Sequence, residues 1–165
     1  MNLIAGHDIA LHHANKLLES AASWDSIGNA PTLSECLEPQ LDDEQQAQLY
    51  EQACVALNEG QLSQAAQDFS RLAQRRPDEP AYHYGLGVSL QHLGLIEKAG
   101  EHLSYAYALD PSDAQTCFRL AECLAALGHL DEAREALRTA RQLMSLHEQD
   151  QALAPLIDAL QERIG

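Results

Sequence analysis

A period of 34 residues runs through the middle of this chain of 165 residues. It is clearest at Gly60, Gly94 and Gly128, and four further positions recur with the same step. These positions hold Ala65, Ala99 and Ala133; Leu62, Ile96 and Leu130; Phe69, Leu103 and Leu137; and Pro77 and Pro111. A fixed period of this length predicts a repeat protein, in which each unit buries its apolar face only against its neighbours.

Each unit has the pattern of two helices joined by a tight turn. In the middle unit, the run from Tyr82 to Leu93 has apolar residues at helical spacing and stops at Gly94, which can adopt the left-handed conformation that ends a helix. The run from Ile96 to Leu109 must pack back on the first helix, and Ala99 supplies the small side chain for a close crossing. Gly87 should let a neighbouring helix approach closely. The sequence therefore predicts stacked helical hairpins.

The small, glycine, alanine and proline positions resemble those of the tetratricopeptide repeat family. This resemblance implies an all-α tetratricopeptide repeat solenoid with three helix-turn-helix repeats at 46–79, 80–113 and 114–147. The chain departs from the family at the large aromatic residue that is usual early in the first helix of a repeat. That position holds Leu49, His83 and Cys117.

Both flanks of the repeats have helical patterns. We expect residues 1–45 to form an N-terminal helical arm, with an apolar stripe over 9–24, and residues 148–165 to form a C-terminal capping helix. Asp42 and Gln45 have the spacing of a capping box at the first repeat helix. Pro155 should kink or restart the last helix.

Charge and cysteine content exclude several classes of partner. The chain carries 25 acidic and 10 basic residues, a formal net charge of −15, which disfavours nucleic acid and anionic membranes as partners. No C-x-x-C pair occurs among the four cysteines, so neither a zinc site nor a redox motif is expected. The N-terminus lacks the basic region and long apolar stretch of a signal peptide, which favours a cytosolic protein without a membrane span.

Motifs of catalysis are missing as well. The sequence contains no nucleophile elbow, P-loop or H-E-x-x-H, so we expect neither an enzyme nor a cofactor. His12 and His13 are adjacent and would point in different directions on a helix, which disfavours a metal site. Gly85 and Gly87 form a lone G-x-G inside a predicted helix, where close helix packing is a better explanation than phosphate binding.

The first helix of each hairpin should line the concave side of the solenoid. The candidate groove residues, one period apart, are Tyr50, Cys54, Leu57, Tyr84, Val88, Gln91, Phe118 and Glu122. They predict an elongated, mainly apolar trough that suits an extended client chain. The alternative is that the three aromatic residues pack adjacent hairpins together. The Lys, Asn and Arg side chains with which some family members clamp an acidic C-terminal tail are absent from these positions.

A closer resemblance is carried by Gly85-Leu86-Gly87 and above all by the run from Phe118 to Leu124, FRLAECL. These segments are similar to the class II chaperones of bacterial type III secretion. The resemblance implies a bacterial cytoplasmic chaperone that binds hydrophobic translocator proteins. It would hold an extended client segment in the concave groove, and so keep the client soluble and unassembled before export without using ATP.

The resemblance also implies a homodimer, because many members dimerise through the N-terminal arm. Leu11, Leu18 and Trp24 are the candidate dimerisation residues. Two alternatives stay open at this point. One is a generic repeat scaffold for protein–protein interaction, and the other is a regulatory subunit that binds a transcriptional activator.

Overall fold

The structure is a computed structural model that describes residues 41–146 and 148–165. The predicted arm helix over 9–24 lies outside the described residues, as do Leu11, Leu18, Trp24 and the pair His12 and His13. The described part is all-α and contains no strand, which confirms the predicted fold class. None of its helices is both long enough and apolar enough to cross a bilayer.

Six helices form three hairpins, and a short C-terminal segment follows them. The helices are α1 Asp43–Asn58, α2 Leu62–Arg75, α3 Pro80–His92, α4 Ile96–Leu109, α5 Ala114–Ala126 and α6 Leu130–Leu146, then a 3₁₀ helix Glu148–Leu153 and α7 Ala154–Ile164. Helices α1 to α6 each pack against the next, and the first helices of the hairpins also contact one another, α1 with α3 and α3 with α5. This pattern, in which each helix packs against its neighbours along the chain, is that of a solenoid.

The helix ends form where the sequence predicts them. Asp42 and Gln45 make the reciprocal capping box: the Gln45 amide donates to Asp42 Oδ1 over 2.8 Å, and the Asp42 amide donates to Gln45 Oε1 over 3.1 Å. Gly94 has a φ of +79°. The amide beyond it, on Leu95, donates to the Leu90 carbonyl over 2.9 Å, the 6→1 bond that closes a helix after a left-handed glycine.

Two glycines on α3 allow its neighbours to pack at short range. A Cβ added to Gly85 would lie 2.4 Å from two ring atoms of Phe69 on α2, and one added to Gly87 would lie 2.7 Å from Leu103 Cγ on α4. Both distances are far shorter than the 3.4–4 Å of an ordinary van der Waals contact. The interpretation of this G-x-G as a helix-packing element is therefore confirmed.

A histidine pair occupies the interior of the second hairpin, where the repeat family has its large aromatic residue. His83 is buried, its Nε2 lies 3.0 Å from the Pro77 carbonyl, and its Nδ1 lies 3.4 Å from His102 Nδ1. Because a carbonyl can only accept, His83 Nε2 carries the proton and His83 Nδ1 accepts from His102. The ring of Tyr105 packs on His83 with centroids 4.5 Å apart. The rings of His83, His102 and Tyr105 are thus packed against one another in this hairpin.

This pair makes the stability of the fold depend on pH. Burial, and then the neighbouring His83 and Lys98, lower the pKa of His102 to about 4 from an ordinary 6.5. Burial also lowers the pKa of His83. Since the unfolded chain takes up these protons first, the stabilisation is complete above pH 6.5 and is lost as the pH falls towards 4.

We therefore expect the free energy of unfolding to fall over this pH window by about 2 kcal/mol more in the native chain than in a His102→Gln variant. Urea unfolding at a series of pH values measures the difference. Equal losses in the two proteins would show that the pair is not responsible.

The C-terminal segment covers the end of the third hairpin. Ile157 and Leu160 of α7 are buried in the core beside α6. Arg134 of α6 donates to the carbonyls of Ile164 over 2.8 Å and Gly165 over 3.0 Å. Pro155 lies in the first turn of α7, so the predicted restart of the helix at this proline is confirmed.

The opposite end of the solenoid is polar. On α1, Gln48 and Glu51 are exposed and Val55 is 48% exposed. One period later, on α3, the same positions are buried against α2. Among the described residues, the outer face of α1 is therefore more polar than the equivalent face of α3.

Candidate functional site

The first helices of the three hairpins place the candidate groove residues side by side. Leu57 of α1 packs against both apolar clusters of the protein, one centred on the first hairpin and the other on the second and third. Tyr84 and Gln91 of α3 reach across to α5, where their side chains form hydrogen bonds. Leu57, Tyr84 and Gln91 thus lie where the first helices of neighbouring hairpins meet.

Two of the eight candidate residues are core residues. Val88 is 5% exposed and Phe118 is 4% exposed, and both belong to the cluster that joins the second and third hairpins. For Phe118, the structure favours the packing alternative that the sequence left open. The other six are half-buried, and we call them the groove face: Tyr50, Cys54, Leu57, Tyr84, Gln91 and Glu122. Their role in binding stays a prediction.

The groove face is apolar between α1 and α3. The Tyr50 ring contacts Phe69 edge-on with centroids 6.0 Å apart, and it also contacts Tyr82 at 5.5 Å. Cys54 and Leu57 continue this surface along α1. Burial is the main cause that raises the pKa of the Tyr50 hydroxyl, so this residue is neutral at physiological pH. This part of the surface offers hydrocarbon and aromatic contacts, with little charge.

Between α3 and α5 the groove face is polar. The Tyr84 hydroxyl donates to Gln115 Oε1 over 3.3 Å, and Gln91 Nε2 donates to Glu122 Oε2 over 3.2 Å. Arg119 Nη1 donates to the same oxygen of Glu122 over 3.0 Å. Burial raises the pKa of the Tyr84 hydroxyl, and the adjacent Arg119 offsets part of this rise. The expectation of a mainly apolar trough therefore holds for one half of the surface only.

Gln115 and Arg119 were missed by the sequence analysis. Arg119 and Glu122 are three residues apart on a helix, a spacing at which opposite charges pair, so this contact could have been anticipated. The bond from Tyr84 to Gln115 joins two repeats and has no local sequence signal. It depends on how closely α3 and α5 approach.

The buried cysteines do not add chemistry to this surface. Burial raises the pKa of Cys117 and of Cys123 to about 12, which keeps both thiols protonated and unreactive. Within residues 41–146 and 148–165, no group of three or more His, Cys, Asp or Glu side chains could hold a metal ion.

Comparisons with known families agree with the repeat pattern. Two family models, both described as tetratricopeptide repeat, match residues 50–114 and 94–156. No curated protein matches the sequence significantly.

Solved structures provide more specific similarity. PcrH from Pseudomonas aeruginosa in complex with the chaperone binding region of PopD has a TM-score of 0.73 and 30% identity over 78% of this chain and 96% of PcrH. PcrH bound to the chaperone binding region of PopB has a TM-score of 0.69 and 31% identity, over 73% of this chain and 97% of PcrH. The Yersinia enterocolitica type III secretion chaperone SycD was solved in complex with a peptide of the translocator YopD. It has a TM-score of 0.71 and 25% identity, over 76% of this chain and 96% of SycD.

Proposed function

The chain belongs to the tetratricopeptide repeat family of type III secretion translocator chaperones, and from that membership we propose that it binds hydrophobic translocator proteins in the bacterial cytoplasm. An extended segment of the translocator lies along the groove face, and the bound translocator stays soluble and unassembled until export. The observation that carries this proposal is the 30% identity to PcrH, which extends over 96% of the PcrH chain. In that structure PcrH is bound to the chaperone binding region of PopD.

The physical basis of the activity is the burial of apolar surface. A translocator carries segments that seek a membrane and that aggregate in water when exposed. Binding of such a segment between Tyr50, Leu57 and Tyr84 lowers the concentration of free client by mass action. The net charge of −15 keeps the complex from associating further. None of these steps needs a nucleotide or a chemical reaction.

Co-expression with an apolar secreted protein encoded beside this chain distinguishes the chaperone from a repeat scaffold. A chaperone raises the soluble yield of that protein, and a scaffold leaves it unchanged. Nothing in the described residues favours a transcriptional activator as a second partner.

We also propose that the chain forms a homodimer through its N-terminal arm. The outer face of α1 is polar, with Glu51 exposed, so the apolar stripe predicted over 9–24 is not needed to cover it. Deletion of residues 1–30, which removes Leu11, Leu18 and Trp24, is expected to shift the protein from dimer to monomer. Multi-angle light scattering measures the mass of both forms, and an unchanged number of subunits would contradict this proposal.

A further inference from the structure

The C-terminal helix α7 occupies the place of the first helix of a fourth hairpin. In the second and third hairpins, the first helix packs against both helices of the hairpin before it: α3 contacts α1 and α2, and α5 contacts α3 and α4. Helix α7 contacts α5 and α6 in the same way. Because every candidate groove residue lies on a first helix, α7 offers a further surface of the same kind.

Leu156 of α7 continues the series of candidate groove residues. It follows Glu122 by 34 residues, the same period that separates Glu122 from Val88 and Val88 from Cys54. Ile157 beside it is buried, as is the cysteine that follows Glu122 one period earlier. The register of the repeats therefore continues into the first turn of α7.

The contacts of α7 place Leu156 on the flank that faces away from α6. Ile157 and Leu160 belong to the buried stripe of α7. On one flank of this stripe, Asp158 accepts a hydrogen bond from Arg141 of α6. Leu156 projects from the opposite flank, because a helix completes a turn in about 3.6 residues. Since α7 packs on α5 as well as on α6, this second flank is the one beside α5.

Leu156 offers free apolar surface at this place. Its side chain is 51% exposed. The groove face is apolar between α1 and α3, and between α3 and α5 it carries the hydrogen bonds of Tyr84, Gln91 and Glu122. From the first hairpin to α7, the surface therefore changes from apolar to polar and back to apolar. Single exposed leucines are common on proteins, and the position of this one in the groove series sets it apart.

We propose that Leu156 is an additional anchor site of the groove and binds a second apolar side chain of the extended client segment. This inference rests on the proposed chaperone function. Neighbouring helices pack about 8–10 Å apart, so the three steps from α1 to α7 span about 24–30 Å. An extended chain advances about 3.3 Å per residue. The two apolar anchors of the client are thus about eight residues apart.

A client segment fits this position better than a second copy of the protein does. Asp158, Gln161 and Glu162 of the same helix are exposed and polar. The apolar area around Leu156 is therefore small, whereas a stable interface buries about 800 Å² on each partner. An extended segment needs only one apolar contact on each helix that it crosses, because its affinity is the sum over all of them.

Selection from a library of random peptides, long enough to cross four helices and displayed on phage, tests this inference without knowledge of the natural client. The selection is run on the native protein, on Leu156→Gln and on Leu95→Gln. Leu95 is a matched control because it is 47% exposed and lies at the turn between α3 and α4, outside the groove face. Both substitutions are at exposed positions, so the core stays intact.

We expect the native protein and Leu95→Gln to select peptides with two apolar positions about eight residues apart. Leu156→Gln should keep one of these preferences and lose the other. In a peptide selected by the native protein, exchange of the second apolar residue for serine should weaken binding to that protein about ten-fold. The same exchange should change binding to Leu156→Gln by less than about two-fold.

The possible failures are distinguishable. Peptides with a single apolar position, or a second preference that survives in Leu156→Gln, would overturn the inference and leave the chaperone function intact. Loss of the second preference in Leu95→Gln would overturn it too. So would an unchanged selection by Leu156→Gln together with a smaller number of subunits in light scattering, since that result assigns Leu156 to an interface between copies. If the native protein selects no peptide at all, both the inference and the proposed function fail.

Discussion

Replacement of Tyr84 by alanine is expected to weaken retention of the client about thirty-fold, because buried tyrosines at the centre of an interface contribute about 2 kcal/mol or more to binding. Tyr84 lies at the junction of the apolar and polar halves of the groove face. Its ring packs beside the core of the second and third hairpins, and its hydroxyl donates to Gln115. Co-purification of the client with tagged protein measures the effect.

A second substitution, Tyr50→Ala, should abolish retention when combined with Tyr84→Ala. Tyr50 also contacts Phe69 and Tyr82, so circular dichroism is needed to show that the double variant keeps its helical content. Tyr105→Ala is the matched control, since Tyr105 is a half-buried tyrosine that packs on His83 of the same hairpin and lies outside the groove face. Full retention by the folded double variant would contradict the assignment of the groove face.

The substitution Gly85→Ala is expected to lower the free energy of unfolding by about 3 kcal/mol. An added Cβ would lie 2.4 Å from two atoms of the Phe69 ring and 2.7 Å from a third. Phe69 is 1% exposed, so its ring cannot move aside without displacing α2. Chemical denaturation of the purified protein measures the loss.

Gly100→Ala is the control for this prediction. Gly100 is also a buried helical glycine, but an added Cβ there would lie 3.8 Å from Cys123 Cβ, an ordinary contact. Since alanine is favoured over glycine in a helix by about 1 kcal/mol, this variant should be as stable as the native chain or more stable. A second change, Phe69→Leu, should recover part of the stability lost in Gly85→Ala. Equal stability of the Gly85→Ala and Gly100→Ala variants would contradict the close packing of α3 on α2.

The periodic part of the fold was predictable because its signals are local. The second helix of the middle repeat runs from Ile96 to Leu109, as its helical spacing indicates, since a left-handed glycine precedes it and a proline follows it. The capping box at Asp42 and the helix restart at Pro155 are local signals of the same kind.

The candidate site was predictable only in part, because it depends on contacts between repeats. Repeat spacing put Tyr84 and Gln91 on the same helix face as Glu122 one repeat later, and the structure adds hydrogen bonds from Tyr84 to Gln115 and from Gln91 to Glu122. The same spacing could not distinguish Tyr50, which is half-exposed, from Phe118, which is buried at the equivalent position. Among the described residues, the C-terminal segment packs on the third hairpin and contacts both α5 and α6, whereas no described helix precedes α1.

Photo-crosslinking in the native cell tests the central claim most directly. A photoreactive phenylalanine analogue is placed at position 57, on the groove face, and separately at Gln74, an exposed position on α2. We predict that position 57 forms an adduct with an apolar, membrane-inserting secreted protein and that position 74 forms none. Absence of an adduct at position 57, or the same adduct from both positions, would contradict a chaperone that holds its client on the groove face.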